Sequence, residues 1–568
     1  MEKTLARFVR SPFGLAAASG LLLWAAFPPL GWWPLAWLAP VGWLWLIRRP
    51  ETSRRFYLGV WLAGWGHWLL VLQGIRLAHP LLYLGWLSLS AYLAVYLPLF
   101  VALARIAVHR SRTPLCVAAP IVWTGLELVR GYALTGFSMA LLGHTQVRWT
   151  RLIQIADLTG AYGVSFLVML GAACLTQTFV NVGGRATFRQ RLRAAWPAAV
   201  GVTVIGAVLV YGAIALREQS DPSSASVREL RVALIQGSVD TIFEYNPERD
   251  ARNFHRYRQL CLEAVRREPR LDLIVWPESM FTGTLGEVLI EGTPTPPPDV
   301  PVDPEEYAAQ ARECAEEFRK KAATVARLCR RPDGAGGTLQ GAHLLVGTDT
   351  QQVGPGTAPR YNAALLIAPT GAVTGRYYKI HRVIFGEYMP FGDMFPWLYR
   401  ITPLAQGLTP GDGPRVFEVA GVKVSPSICF ESTVPHLIRR QVTTLARSGA
   451  RPDLLVNVTN DGWFWGSSIL DLHLTCNVFR AVELRLPLVV AANTGFSAHI
   501  DRNGHIVQQG PRRAEQVILA RVRLDGRVSW YNRMGDVLAG TCLAVCIGWA
   551  AAGVGRKLWP RGRAKRAE

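Results

Sequence analysis

Eight apolar runs, each near the length of a bilayer crossing, constrain this chain more than any other feature. Roughly 20 apolar helical residues span about 30 Å of hydrocarbon. Runs of that kind lie near 11–28, 33–48, 56–75, 82–108, 115–134, 155–180, 195–216 and 536–555. With 50% hydrophobic residues, 18% charged residues and 20 Trp in 568 positions, the chain is neither disordered nor an ordinary soluble enzyme. A net charge of +21 would suggest a nucleic-acid partner in a soluble protein, so the placement of the basic residues decides what it means.

The basic residues fall between the apolar runs. With a cytoplasmic N-terminus, the inner loops hold Lys3, Arg7 and Arg10; Arg48, Arg49, Arg54 and Arg55; Arg105, Arg110 and Arg112; Arg185, Arg189, Arg191 and Arg193; and the tail from Arg556 to Arg566. The outer loops hold only Arg76, Arg130, Arg148 and Arg151. The positive-inside rule then puts both termini in the cytoplasm and the polar stretch 217–535 on the far side. The basic excess therefore reads as topology, and no nucleic-acid partner is expected. The first run leads into Phe27-Pro28-Pro29-Leu30-Gly31-Trp32-Trp33, which lacks a small-residue cleavage pattern, so it reads as an uncleaved span. Within the fifth run, Glu127 and Arg130 stand three residues apart, which fits either a structural ion pair or a functional charge.

From 229 onward the pattern becomes short β-rich runs alternating with amphipathic helices. Strands are expected at 231–237, 271–277, 343–349, 362–368, 422–429, 453–458, 487–492 and 517–524. Helices are expected at 247–268, 305–331, 434–448 and 469–485, and the Pro-rich 293–298 as a loop or linker. This is an α/β domain of about 300 residues, large enough for a real core. The expected organisation is a seven-span bundle over 1–216, an extracytoplasmic catalytic domain over 217–535, and an eighth span with a basic tail over 536–568. The segment 285–342 contains a charged helix that reads either as a lid or as a solvated outer layer.

The nine cysteines show neither C-x-x-C nor a paired His spacing, so no metal site is expected. Cys261, Cys314, Cys329 and Cys476 lie in helical patterns, whereas Cys429 ends the strand-like run Val422–Ile428 and precedes Phe430-Glu431-Ser432 and a helix. A thiol at a strand-to-helix turn lies near backbone N–H groups that favour thiolate and an oxyanion, although a core Cys ending a buried strand has the same local sequence. Two further strand exits bear on that choice: Glu278 follows Leu273-Ile274-Val275-Trp276-Pro277, and Lys379 follows Tyr377-Tyr378. Together these residues supply a nucleophile, a base and a cation, the requirements of acyl transfer through a thioester.

The strings Val275-Trp276-Pro277-Glu278, Tyr378-Lys379-Ile380-His381 through Phe385-Gly386-Glu387-Tyr388, and Ile428-Cys429-Phe430-Glu431-Ser432 resemble the motifs of the nitrilase superfamily. More narrowly, they resemble those of the apolipoprotein N-acyltransferases. Asn457 to Phe464, Arg480-Ala481-Val482-Glu483, Ala492-Asn493-Thr494-Gly495 and the opening Phe27 to Trp37 are also similar to that family. The resemblance implies an α-helical membrane bundle of eight spans plus an αββα nitrilase-like sandwich. It implies Cys429 as nucleophile, Glu278 as general base and Lys379 as the cation for the tetrahedral intermediate. It further implies supporting or substrate-binding roles for Glu387, Glu431, Tyr245, Trp463 and Tyr388. The implied reaction moves an acyl chain from a membrane phospholipid to the α-amine of a diacylglyceryl apolipoprotein, in the cytoplasmic (inner) membrane, with the catalytic domain on the periplasmic side. No metal or organic cofactor is expected, and the protein is expected to be a monomer.

Three departures from the family pattern stand out. Gln236-Gly237-Ser238-Val239-Asp240-Thr241 replaces a Gln-Gly-Asn-Ile-Pro-Gln stretch, with Tyr245 where a Trp is usual; Ile384 replaces a Pro; and Trp465 is inserted before Gly466. Two other functions compete with the acyltransferase. A membrane-tethered amidase or nitrilase would hydrolyse the same thioester, and a transporter or scaffold would carry an inactive domain, which had no reason to keep Glu278, Lys379 and Cys429 together.

Overall fold

The computed structural model describes residues 11–558 except 78, 183–187, 218–227, 241–245, 283–285, 299, 331–340, 393, 402–406 and 525–526. Tyr245, Thr241, the N-terminal Lys3, Arg7 and Arg10, Arg185 and the far C-terminal tail lie outside the described residues. The chain forms two compact units. One comprises 1–73, 86–221 and 533–568, and the other comprises 74–85 and 222–532.

The first unit is helical: α1 Pro12–Ala26, α2 Val41–Arg48, α3 Arg54–Val71, α4 Leu82–Arg110, α5 Leu115–Tyr132, α6 Ala161–Val182 and α7 Trp196–Arg217, joined by the C-terminal helix Val537–Leu558. Helix starts follow capping chemistry. The Ser11 hydroxyl accepts from Gly14 N–H at 2.9 Å with Pro12 in the first turn, and Ser53 does the same for Phe56 at 3.2 Å. Among the described residues, α4, α6 and α7 are long and apolar enough to cross a membrane, and Pro12–Ala26 and Val537–Gly553 are shorter apolar helices.

The run 33–48 is not one continuous helix. It splits into a 3-10 turn, Trp33–Trp37, and the eight-residue α2, because Pro34 and Pro40 supply no N–H. At 1.5 Å per residue, α2 is about 12 Å long. It packs closely on α1, where a Cβ at Gly42 would fall 2.7 Å from the Leu15 carbonyl oxygen. Glu127 and Arg130 form no direct ion pair among the described contacts. Glu127 accepts from Trp123 Nε1 at 2.9 Å and Leu142 N–H at 2.8 Å, while Arg130 donates to the Met139 and Ala140 carbonyls at 3.4 and 3.3 Å. Both charges serve the irregular backbone that follows α5, whose polar groups need partners inside an apolar bundle.

The second unit contains two sheets. Its strands are β1 Glu229–Gln236, β2 Leu273–Val275, β3 Glu287–Thr295, β4 His343–Pro355, β5 Arg360–Ile367, β6 Val373–Tyr378, β7 Phe417–Val419, β8 Val422–Ile428, β9 Leu454–Thr459, β10 Leu488–Ala492, β11 Ala498–Ile500, β12 Ile506–Gln509 and β13 Gln516–Arg523. The first sheet runs β13-β1-β2-β4-β5-β6 with β3 beside β4, and the second runs β12-β11-β10-β9-β8-β7. Strand alternation divides the side chains. From β1, Val232 and Leu234 join Val424, Ile428, Val456 and Val489 of the second sheet in a core between the sheets. Ala233 and Ile235 face outward to a second core with helices α8 Pro247–Arg267 and α9 Pro304–Leu328. Helices α10 Pro435–Arg447 and α11 Ile469–Leu484 belong to the second sheet's side, with α11 packed on β10. The result is an α/β sandwich.

The charged helix in 285–342 is α9, and Phe318, Ala322 and Val325 anchor it in the outer core, so it is an outer layer of the sandwich and not a lid. The Pro-rich piece is not wholly a loop. Thr293-Pro294-Thr295 ends β3, an edge strand paired only with β4, where a missing N–H is tolerated. Cys314 and Cys329 are free thiols, as are the other seven cysteines.

Candidate active site

Glu278 leaves β2 beside β4, and Gly347 permits this: a Cβ there would lie 2.4 Å from Glu278 Cα and from the Pro277 carbonyl oxygen. The Glu278 carboxylate meets only donors. Asn362 Nδ2 lies 2.7 Å and Lys379 Nζ 3.4 Å from Oε1, and Asn460 N–H lies 2.8 Å from Oε2. Lys379 follows β6 and donates a shorter bond, 2.7 Å, to Glu387 Oε1. Glu387 is held in turn by Asn362 at 3.2 Å and, through Oε2, by Val383 N–H at 2.8 Å. The ammonium is 2% exposed and thus bridges two carboxylates away from water. Burial works against its charge, but Glu387, Glu278 and Cys429 outweigh it and hold the Lys379 pKa well above the ordinary lysine value.

Cys429 follows β8 at φ 51°, in the left-handed region, and opens a 3-10 turn Cys429–Thr433 before α10. Such a conformation costs a non-glycine residue on the order of 1–3 kcal/mol and persists only where surroundings enforce it. Glu431 supplies part of that enforcement. Its Oε2 accepts from Ile428 N–H at 2.7 Å and from the Tyr377 hydroxyl at 2.8 Å, and its Oε1 accepts from Ile380 N–H at 2.7 Å and His381 N–H at 3.0 Å. One buried carboxylate thereby ties the cysteine turn to the Tyr377 side chain before Lys379 and to the backbone after it. Burial pushes the Cys429 thiol well above its usual range, the Glu278 charge adds to this, and Lys379 pulls the other way.

Beneath the turn, the Cys429 carbonyl oxygen is met by Asn457 Nδ2 at 3.3 Å and His473 Nε2 at 3.2 Å. His473 Nδ1 lies 3.0 Å from Asp461 Oδ1, an oxygen that also accepts from the Thr459 hydroxyl at 3.0 Å. Burial would lower the His473 pKa, but the Asp461 carboxylate outweighs it and raises it.

Residues 19–174 match the family described as "Apolipoprotein N-acyltransferase N-terminal domain", and residues 231–532 match "Carbon-nitrogen hydrolase". The chain is 32% identical to the apolipoprotein N-acyltransferase of Rhodopirellula baltica over 553 residues, covering 92% of this chain and 94% of that one. It is 34% identical to that of Geobacter metallireducens over 542 residues, covering 94% of each. The chain belongs to the apolipoprotein N-acyltransferase family. The second unit is thus the nitrilase-like part of an N-acyltransferase of that family, and the first contains its membrane-length helices. Among solved structures, Nit3 of Saccharomyces cerevisiae, from the nitrilase superfamily, aligns with a TM-score of 0.35 and 16% identity over 60% of this chain and 97% of that one.

The five acid, base and thiol positions expected from sequence, Glu278, Lys379, Glu387, Cys429 and Glu431, come together in this acyltransferase. Tyr388 lies under the Arg382 guanidinium, 4.4 Å from its ring centroid, and Trp463 is half-buried in the 3-10 turn Asp461–Phe464. Neither is bonded to the central cluster among the contacts described. Asn362 and His473 escaped the sequence reading, and Thr459 entered it only as part of the Asn457–Phe464 string. Asn362 is an unremarked polar residue inside β5, and His473 is one residue of a helix. The one available signal for His473 was its partner Asp461, which lies inside that string.

Proposed function

We propose that this protein N-acylates the α-amine of the lipidated N-terminal cysteine of apolipoproteins, with a membrane phospholipid as acyl donor and a thioester on Cys429 as intermediate. In this reading, residues 1–216 and 536–568 form an eight-span membrane part and 217–535 an extracytoplasmic catalytic domain in the inner membrane, with both termini cytoplasmic. Both substrates are anchored in lipid, and a domain tethered by membrane helices meets them at raised effective concentration.

The observation that carries the reading is the buried Glu278–Lys379–Glu387 array beside a thiol on a strained turn. Glu278 takes the Cys429 proton as sulfur attacks the phospholipid ester carbonyl. Lys379 balances the charge that develops on that oxygen. Collapse breaks the ester C–O bond, Glu278 returns the proton to the leaving alkoxide, and a lysophospholipid departs. The acceptor amine then attacks the thioester, Glu278 receives its proton, and the amide forms as Cys429 sulfur leaves and is reprotonated. Glu387 orients the ammonium and Glu431 holds the turn.

The test is mass spectrometry of the full-length protein incubated with phospholipid and no acceptor. A fatty-acyl mass on Cys429, chased by a diacylglyceryl peptide with a free N-terminal amine, is the expected result. A label lost to water as fast without the peptide would instead make the protein a hydrolase, and no label under any phospholipid would remove the thioester route.

A further inference from the structure

Nothing in the reaction above uses His473, although it sits 5% exposed directly beneath the nucleophile's turn. Its surroundings restrict what it does. The Cys429 carbonyl oxygen can only accept, and it lies 3.2 Å from Nε2, so a proton on Nε2 makes this contact a hydrogen bond. Nδ1 faces the Asp461 carboxylate at 3.0 Å, and that carboxylate meets a second donor in Thr459. An imidazolium donates to both oxygens, whereas a neutral ring with its proton on Nδ1 would accept from the Ser432 hydroxyl instead. The raised His473 pKa agrees with that donor count. Ser432 completes the contact, with its hydroxyl 3.0 Å from Nε2 and 3.3 Å from the same carbonyl oxygen.

What the anchored carbonyl does follows from peptide geometry. The Cys429–Phe430 peptide is trans and planar, so its N–H points opposite to its C=O. Fixing the Cys429 oxygen on the His473 and Asn457 side fixes the Phe430 N–H on the other side of the same plane. The pairing of β8 with β9 ends at Ile428 opposite Val458, so that plane lies beyond the ladder.

We infer that His473, held by Asp461, is a positioning residue for the acyl-transfer step: it clamps the Cys429 carbonyl and so aims the peptide plane that follows the nucleophile. This rests on the reading of Cys429 as the acylated residue. The role predicts a difference between two substitutions of similar polarity. The Gln amide reaches the place of Nε2 and keeps a donor for the Cys429 oxygen, whereas the Asn amide reaches only the place of Nδ1.

The experiment uses the full-length protein in detergent micelles with a phospholipid bearing a labelled acyl chain. It follows single-turnover acylation of Cys429, the KM for phospholipid and the thermal midpoint for wild type, His473→Gln, His473→Asn and His473→Ala. The expected result is that Asn and Ala lower the acylation rate by roughly 10² without moving KM. His473→Gln, a neutral donor in place of a charged one, is expected to lose only about tenfold. A wild-type acylation rate in folded His473→Ala, equal losses for Gln and Asn, or a change in KM alone would overturn the clamp while leaving the thioester intact. Absence of any acyl label on Cys429 in wild type would overturn the proposed function and the clamp with it.

Discussion

In the helical unit, Glu127 accepts from the Leu142 N–H as well as from Trp123 Nε1, and Arg130 donates to the Met139 and Ala140 carbonyls, so both reach the backbone. In the α/β unit, Lys379 donates to both Glu278 and Glu387. All five ionisable side chains are buried or nearly so, in places where charge is costly. A buried charge that satisfies the main chain acts as scaffold, because removing it leaves polar backbone without a partner. A buried charge that faces another side chain leaves an array whose proton and charge balance can shift, and that is a requirement of catalysis.

The comparison makes a graded set of expectations. Cys429→Ala is expected to abolish turnover while the thermal midpoint stays at the wild-type value, and retained turnover in the purified variant would break the contrast outright. Lys379→Met is expected to lower the acylation rate by roughly 10² to 10³, measured in single turnover. Glu431→Gln sits between the two classes, since its carboxylate serves backbone N–H groups of the catalytic turns. Placing an amide nitrogen against those donors is expected to cost about 2–3 kcal/mol in stability, and acylation should fall along with the denaturation midpoint. Glu127→Gln should cost about 1 kcal/mol with the rate per folded molecule unchanged; a loss of rate without a loss of stability would place Glu127 among the catalytic charges. The smallest effect concerns pH. His473 has a raised folded pKa under Asp461, against burial, with Glu278 also raising it. Its stabilising contribution is therefore full below the unfolded value of about 6.5 and is lost as pH rises through the folded value. The gap in thermal midpoint between wild type and His473→Gln should narrow accordingly across that window.

Much of this architecture was legible from residue pattern. The buried strands β1, β2, β4, β5, β8, β9 and β10 are apolar runs, and burial on both faces is why they read clearly, whereas the edge strand β13 reads from its alternation. The strands that escaped are short or lie at edges. Ile506–Gln509 is exposed throughout, and Phe417–Val419 spans three residues, too few to show a period. Helices bounded by proline shifted less than the apolar run 33–48, where two prolines interrupt a helix that hydropathy alone had joined. The placement of Glu278, Lys379 and Cys429 in one region was legible because each lies at or just beyond a strand end, and strand exits converge. Asn362 and His473 were not, because each acts on a residue far away in the chain, 84 positions to Glu278 for one and 44 to Cys429 for the other.

The Glu431 tie has a consequence for how this chain matures. Its donors come from both halves of the sandwich: Tyr377, Ile380 and His381 at the end of β6, and Ile428 at the end of β8. A newly synthesised polypeptide in which only one sheet has formed has either the ammonium or the thiol turn, but no fastening between them. The arrangement of the site is therefore complete only when the two sheets have met, and the last step of folding is also the step that assembles it.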